Sequence, residues 1–276
     1  MPYSAEISRA NPTCFLFLID QSESMRELIG GGDRPMTKAE AVADAVNRLL
    51  SELSIKCAKE DGVRDYFHVG VVGYGASVGP IFDGDLAGRD LVPLSEVAAR
   101  PARMEERQRP YGRHAARRTV RFPTWFSPVA YGDTPMCAAL ARASATISAW
   151  LAAHPGCFPP VVVNITDGAS TDGDPVPHAL ALQRLTSADG HVLLFNLHLS
   201  SDRSEPVVFA ASGDDLPDDH ARQLHRMSSV LPEPMRLAAA RQDLDIGDGA
   251  RGFAFNADIS AIVQFLDVGT QVLALR

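Results

Sequence analysis

Short hydrophobic runs alternate along this chain with longer amphipathic stretches. Six of the runs are continuously apolar and bounded by turn residues, which is typical of strands buried on both faces. Together with the helical stretches between them, they predict a doubly wound, mostly parallel six-stranded α/β sheet with helices on both faces and one antiparallel edge strand. The predicted strands cover residues 14–19, 67–74, 78–82, 161–165, 191–199 and 252–255.

The longer stretches carry apolar residues near the helical period of 3.6. Thr37 and Glu40 form a capping-box pattern at the start of the first of them. Pro135 stands in the first turn of the Ala-rich stretch, where proline is favoured. The predicted helices cover residues 37–59, 135–153, 177–188, 218–230, 234–242 and 259–273.

Residues 83–127 interrupt this rhythm with a segment rich in Arg and Pro. We expect an insertion outside the central sheet, with 104–109 and 118–122 paired as a hairpin around a tip at 110–116. Its arginines should be mostly exposed. They either dock an acidic partner or RNA, or, as the slightly favoured alternative, keep an exposed hairpin edge solvated against aggregation. These arginines are Arg100, Arg103, Arg107, Arg109, Arg113, Arg117, Arg118 and Arg121.

Length and composition fit an ordinary globular protein. The 276 residues are 46% hydrophobic and 22% charged, and we expect one domain over 1–276 with its core at about 13–273. A net charge of -8 argues against a nucleic-acid or anionic-membrane surface, since both require a cationic face. The apolar runs are also shorter than the roughly 20 residues that span a bilayer.

Cysteine usage and the first residues bear on location. The four cysteines show no Cys-x-x-Cys pair, and the first residues show no basic segment followed by an apolar one. We therefore expect a reduced, cytoplasmic protein.

Polar oxygens follow the first predicted strand. Asp20, Ser22 and Ser24 lie two residues apart, so a turning backbone can direct all three side chains to one point. Parallel sheets bind ligands beyond the carboxyl ends of their strands, which is where these residues lie. Oxygen ligands with a carboxylate suit Mg²⁺ or Mn²⁺ rather than Zn²⁺, which prefers His and Cys.

Two further oxygen-bearing motifs stand in predicted loops. Thr134 lies in Gly-Asp-Thr-Pro at 132–135, and Asp167 lies in Thr-Asp-Gly at 166–168. Together with Asp-x-Ser-x-Ser at 20–24, they resemble the metal-ion-dependent adhesion site of the von Willebrand factor type A family. All three pieces occur in that family's order, and the resemblance covers about residues 13–273.

The resemblance implies a site and a function. One divalent cation, with Mg²⁺ favoured over Mn²⁺ or Ca²⁺, would be held by Asp20, Ser22, Ser24, Thr134 and Asp167. An Asp or Glu side chain of another protein would complete its coordination, so the chain would be a metal-dependent binding module and not an enzyme. The intracellular bacterial branch, which includes proteins of tellurium-resistance and kinase/phosphatase-linked gene sets, is the more similar one.

Other functional classes fit the residues less well. A phosphatase of the haloacid dehalogenase type requires an acid at position 22, where this chain has Ser22. A hydrolase that uses the cation to activate water stays open, with Asp133 or Glu23 as its general base. The glycines at 30–32 lack the Lys-Ser/Thr ending of a phosphate-binding loop. A scaffold with a vestigial site is disfavoured, because all five ligand positions are filled.

Several other polar and aromatic residues have two readings. Asp172 and Asp174 could form a second carboxylate cluster, but capping of the next helix is favoured. His220 and His225 lack the spacing of a zinc helix and are expected at the surface. Trp125, Phe126 and Tyr131 have two equally favoured roles. They form an aromatic rim beside the predicted metal, or they pack the insertion on the core.

Overall fold

The computed structural model describes residues 2–29, 35–111, 116–200, 206–240 and 246–256, with 108–111, 116–118 and 238 as backbone only. Its centre is an eight-stranded sheet in the order β7-β8-β6-β5-β1-β2-β3, with β4 also paired to β2. The strands are β1 (Thr13–Asp20), β2 (Phe67–Tyr74), β3 (Val78–Pro80), β4 (Val92–Pro93), β5 (Val161–Thr166), β6 (Leu193–His198), β7 (Val207–Val208) and β8 (Phe253–Phe255).

The five inner strands run parallel. β1 pairs with both β2 and β5, β5 pairs with β6, and β6 pairs with β8, all in the same direction. The short edge strands β3, β4 and β7 are antiparallel to their neighbours, so the sheet has three antiparallel edge strands where one was predicted. The carboxyl ends of β1 and β5 therefore lie side by side, since Ile19 is in register with Ile165.

Helices follow most of the strands. The capping box of α1 is present, because the Thr37 hydroxyl accepts from the Glu40 amide while the Glu40 carboxylate accepts from the Thr37 amide. This arrangement satisfies two backbone donors at the start of the helix. The helices are α1 (Lys38–Lys56), α2 (Leu94–Ala99), α3 (Met136–Ala153), α4 (Val176–Gln183), α5 (Asp219–Met227) and α6 (Glu233–Ala240).

The alternating side chains of β1 face two separate cores. Phe15 and Phe17 pack on the face covered by α1, α2 and α6, and Leu16 and Leu18 pack on the face covered by α3, α4 and α5. By length and composition α3 is apolar enough to cross a membrane, the only such helix within the described residues. Its inner side chains, including Leu140 and Ile147, are fully buried in the second of these cores.

The main pattern of the fold was predictable. All six predicted strands are present, and β4 and β7 are two further strands of two residues each. The fourth helix ends at Gln183 rather than at 188, and a two-residue ribbon at Thr186–Ser187 and Gly190–His191 follows it. The helix predicted at 259–273 lies outside the described residues.

The insertion differs in part from its prediction. Its hairpin pairs Arg103–Tyr111 with Ala116–Thr124, as expected. The segment does not lie wholly outside the central sheet, because β4 joins the edge of β2 and α2 follows directly. Two-residue strands and a six-residue helix are too short to show a period in sequence, which explains the error.

The hairpin is fastened to the core by its base. Trp125 and Phe126 are buried, and Asn47 of α1 accepts from the Trp125 amide at 2.8 Å and donates to the Phe126 carbonyl at 3.1 Å. Packing on the core, rather than a rim at the metal, is thus the role of both aromatic residues.

The described arginine side chains of the insertion are mostly exposed, as predicted. Arg100, Arg103 and Arg121 are exposed, whereas Arg89 and Arg107 are half-buried. Arg107 forms ion pairs with Asp44 and Glu105 and lies 3.7 Å above the Phe122 ring centroid. The side chains of Arg109, Arg113, Arg117 and Arg118 lie outside the described ones.

Candidate functional site

The candidate site lies beyond the carboxyl ends of β1 and β5. Four of the five predicted ligand residues are joined there by short hydrogen bonds. The buried Asp20 carboxylate accepts from the Ser22 amide at 2.8 Å. The Ser22 and Ser24 hydroxyl oxygens are 3.0 Å apart, and the Ser24 hydroxyl donates to Asp167 at 2.7 Å. We refer to these four residues, Asp20, Ser22, Ser24 and Asp167, as the array. It extends from the buried Asp20 to Ser24, which is exposed at the surface.

Thr134 lies in a third loop, which is hydrogen-bonded both to the turn after β1 and to the loop after β5. Its amide donates to the Thr171 hydroxyl and its carbonyl accepts from the Thr171 amide, both at 3.0 Å. The Gly132 carbonyl accepts from the Glu23 amide at 3.0 Å, which joins this loop to the Asp20–Ser24 turn. Thr134 is buried, and its loop contacts the Asp20–Ser24 turn through Gly132.

The backbone of this third loop requires a glycine at position 132. Gly132 has a φ of +102°, and a Cβ there would lie 2.3 Å from the Ala76 amide nitrogen. Only glycine adopts this conformation and tolerates so close an approach. The loop that presents Thr134 consequently depends on Gly132.

Two residues that the sequence did not single out also hold the array. Thr166, the last residue of β5, donates its hydroxyl to the second Asp20 oxygen at 2.6 Å. Lys38, the first residue of α1, donates from its ammonium group to the second Asp167 oxygen at 2.9 Å and to Glu27 at 2.7 Å. The Lys38 side chain is only 3% exposed and that of Asp167 is fully buried.

The position of Lys38 in the sequence could have indicated its role. A cation is disfavoured at a helix N-terminus, where the backbone dipole is positive. Lys38 stands there directly after the N-cap Thr37. A lysine in this place indicates a nearby carboxylate, although the sequence does not identify it as Asp167.

The electrostatics of the site centre on Asp20. Burial raises the pKa of its carboxyl group, hydrogen bonds from Thr166 and Ser22 act in the opposite direction, and the charge of Asp167 raises it further. Burial of a carboxylate costs free energy unless a cation or hydrogen-bond donors compensate it. A bound cation would favour the ionised form of Asp20.

The donor set is chemically suited to a hard divalent cation. Asp20, Ser22, Ser24, Thr134 and Asp167 offer carboxylate and hydroxyl oxygens, which Mg²⁺ and Mn²⁺ prefer. Within the described ranges, no group of three or more His, Cys, Asp or Glu side chains is arranged to hold a metal. A cation at this site would depend on the hydroxyl oxygens as well as on the two carboxylates.

Exposed apolar side chains flank the site. Tyr131 is 66% exposed, Leu28 61% and Val129 46%, and we refer to these three as the apolar rim. The Arg26 side chain donates to the Ala130 carbonyl at 2.8 Å, so the two segments that carry the rim are joined. Of the three aromatic residues considered for a rim, Tyr131 alone is exposed here.

The remaining polar predictions have mixed outcomes. Asp174 caps the next helix by accepting from the Val176 amide at 3.0 Å, as predicted. Asp172 instead caps α3, where it accepts from the Cys137 and Ala138 amides at 3.0 and 2.9 Å. His225 is buried, with one ring nitrogen 3.0 Å from the Ala210 carbonyl, so its predicted surface position is wrong.

No family model matches the sequence, and no curated protein matches it either. Among solved structures the chain is similar to a von Willebrand factor type A protein from Catenulispora acidiphila, at 16% identity and a TM-score of 0.41, covering 86% of this chain and 42% of that one. It is also similar to the vWF domain of the type V pili tip protein Mfa5 from Porphyromonas gingivalis, at 15% identity and a TM-score of 0.32, covering 58% and 39%. A third is the ArnB paralog VWA2 from Sulfolobus acidocaldarius, at 11% and 0.37, covering 70% and 36%.

This chain spans less than half the length of each of these three structures. Its α/β fold follows from its own strand order and register.

Proposed function

We propose that this chain is a binding module of the von Willebrand factor type A kind. In this proposal Asp20, Ser22, Ser24, Thr134 and Asp167 hold one divalent cation, Mg²⁺ before Mn²⁺ or Ca²⁺. An Asp or Glu side chain of another protein completes its coordination. The observation that carries the proposal is the hydrogen-bonded array of carboxylates and hydroxyls, which reaches the surface at Ser24.

The surroundings of the array suit recognition of another protein. When bound, the cation supplies positive charge that attracts a carboxylate. Lys38 compensates the negative charge of Asp167, so less of the cation's charge is neutralised by the site itself. The apolar rim supplies area that a partner can bury, and aromatic residues are enriched in such interfaces. A partner segment with an acidic residue beside apolar ones would satisfy both features.

The cellular setting is part of the proposal. All four cysteines are free and buried. Free thiols suit a reducing compartment, which supports our proposal of a cytoplasmic protein of the intracellular bacterial branch.

The structure indicates which variant tests the metal best. Asp20→Ala would leave the Ser22 amide without its acceptor and would remove the shorter of the two hydrogen bonds of the Thr166 hydroxyl, which costs stability. Asp20→Asn keeps the shape of the side chain and removes its negative charge. The Thr166 hydroxyl has a second acceptor within reach, because the Gly168 carbonyl lies 3.3 Å from it.

The test is capture of a partner on immobilised chain, followed by its identification and direct titration. We expect binding in Mg²⁺, release by EDTA, and loss of binding in Asp20→Asn. Tyr131→Ala should weaken binding, and the matched control Leu180→Ala, exposed on α4, should not. Binding that persists in EDTA and in Asp20→Asn would contradict the proposal, as would hydrolysis of phosphate esters that requires Asp20 and Mg²⁺.

A further inference from the structure

A cavity of about 300 Å³ lies at the edge of the sheet formed by β7 and β8. It is formed by α5, by the loop after β7 and by the segment before β8. Arg222, Arg226 and Arg251 line it, and Asp214 is the one carboxylate among its described lining residues. This concentration of positive charge stands out in a chain with a net charge of -8.

The cavity is separate from the candidate metal site. Arg251 comes two residues before β8, which runs parallel to β6, so the cavity lies toward the amino end of that strand. The predicted metal ligands follow the carboxyl ends of β1 and β5. Strand β6 also lies between β8 and β5 in the sheet.

Among the described residues, no carboxylate forms an ion pair with two of the three guanidinium groups, although Asp219, which pairs with Arg222, also interacts with the charge of Arg226. The Arg251 guanidinium donates to the Ser228 carbonyl at 2.6 Å, which is a neutral acceptor. Neither Arg226 nor Arg251 forms an ion pair within the part of the chain that the structure describes. Arg222 and Arg226 are one turn apart on α5, and like charges at this spacing repel each other. An anion in the cavity would relieve this repulsion.

Two of the three guanidinium groups are held in position. Arg222 donates to Asp219 at 2.8 Å and also to the Leu216 carbonyl, and Arg251 is fixed by Ser228. An arginine that is already oriented loses less conformational entropy when it binds a ligand.

The wall of the cavity is closely packed. The buried His225 ring lies against Gly213, since a Cβ at this glycine would be 2.8 Å from the His225 Nδ1 atom. The other ring nitrogen of His225 lies 3.0 Å from the Ala210 carbonyl. These contacts favour a preformed cavity over one that must be assembled by the ligand.

We infer that this cavity is a binding site for a phosphate group. A phosphate monoester carries close to two negative charges and three terminal oxygens, so it can engage several guanidinium groups at once. A carboxylate has one charge and two oxygens, and a single arginine satisfies it. The group belongs either to a small phosphorylated molecule or to a phosphorylated protein side chain.

The inference is tested by calorimetric titration in EDTA, so that metal binding does not contribute. The probes are inorganic phosphate, a phosphoserine peptide and its unphosphorylated form. We expect Arg226→Gln to weaken phosphate binding about tenfold or more, the equivalent of one charged hydrogen bond. Arg226 is exposed and outside any described ion pair, so this variant should fold normally.

Matched controls separate this site from the metal site. Arg184→Gln, an exposed arginine at the end of α4, and Asp20→Asn should both bind phosphate as the wild type does. A phosphopeptide that binds much more tightly than inorganic phosphate would identify a phosphorylated protein as the source, and equal affinities would identify a small phosphorylated molecule. The inference is overturned if neither phosphate nor phosphopeptide binds, or if Arg226→Gln and Arg251→Gln leave the affinity unchanged.

Discussion

The buried ammonium group of Lys38 forms an ion pair with one of the two carboxylates of the candidate site. It lies 2.9 Å from an oxygen of Asp167, whose side chain is fully buried, and 2.7 Å from the more exposed Glu27. Two carboxylates, Asp20 and Asp167, would otherwise share this region with only hydroxyl and amide donors. Lys38 therefore stabilises the site in the absence of a metal.

Replacement of Lys38 should make stability depend on the metal. Removal of one partner of a buried ion pair costs about 3 to 5 kcal/mol, because the other charge stays buried. We expect Lys38→Met to lower the free energy of unfolding by this amount in EDTA and by clearly less in excess Mg²⁺, which compensates Asp167. Denaturant unfolding in both buffers measures this. The control Lys59→Met, at an exposed position, should change stability by no more than about 0.5 kcal/mol.

An equal loss for Lys38→Met in EDTA and in Mg²⁺ would show that the cation does not interact with Asp167. The structural role of the ion pair would then stand alone, without its link to the metal site.

At the scale of elements, the loop after β5 positions α3. Asp172 accepts hydrogen bonds from two amides at the start of this helix, and the preceding residues 132–135 form the loop that carries Thr134. A carboxylate at a helix N-terminus satisfies free backbone donors and interacts favourably with the helix dipole. The cap thus ties the third loop of the site to the second.

Asp172→Asn should be less stable by about 1 kcal/mol at neutral pH, because it removes the charge and one of two acceptors. Burial acts to raise the pKa of Asp172, but its hydrogen bonds outweigh this effect and leave the pKa below 3.8. The stabilisation by the carboxylate is therefore present above pH 3.8 and is lost as the pH falls through the lower folded-state pKa. The difference between the two proteins should shrink in that range in unfolding experiments.

The control for this prediction is Asp215→Asn, which changes an exposed carboxylate before α5. A pH dependence of the same size in both variants would show that the cap at α3 is not its cause.

At the scale of the whole molecule, a chain of buried polar side chains crosses the sheet. The Tyr74 hydroxyl of β2 donates to Asn164 of β5 at 2.7 Å, and Asn164 donates to Asn196 of β6 at 3.0 Å. Asn196 in turn donates to the Ser228 hydroxyl at 3.0 Å. This chain joins four segments in one layer of the fold, below the candidate site.

Asn164→Leu should cost about 2 to 4 kcal/mol, since it removes the nearest acceptor of the Tyr74 hydroxyl and the donor to the Asn196 side-chain oxygen in the interior. The double variant Asn164→Leu with Asn196→Leu should cost less than the sum of the two single ones, because both groups of one hydrogen bond are removed together. Denaturant unfolding of the four proteins measures this coupling. Strict additivity would contradict the proposed network.

The long strands and the loops of the site were predictable from the sequence, and the reasons are physical. A strand buried on both faces needs a continuous apolar run, and a parallel sheet brings the residues after β1 and β5 to one edge. Ser24 and Asp167 are 143 residues apart, and their proximity was predicted through the resemblance of the three motifs to the metal-ion-dependent adhesion site. The pairing of β1 with β5 gives the physical reason for it. Their capacity to bind a metal stays a prediction.

Other features could not be read from local pattern. The partner of Lys38 lies 129 residues away, and the helix capped by Asp172 begins about 35 residues before it. Both contacts depend on how loops meet in three dimensions. The sequence gives a weak indication of the chain of buried polar side chains, because Asn164 and Asn196 each interrupt an apolar strand. Their pairing in register appears only in the structure.

The most direct test of the account is titration of the metal-free protein with Mg²⁺ and Mn²⁺ by calorimetry. We expect one site per chain in the wild type and an affinity reduced by more than about tenfold in Asp20→Asn, since even outer-shell substitutions have effects of this size. Melting temperature should rise with metal concentration in the wild type only. Absence of binding in the wild type, or equal affinity in Asp20→Asn, would contradict the assignment of Asp20, Ser22, Ser24, Thr134 and Asp167 as a cation site.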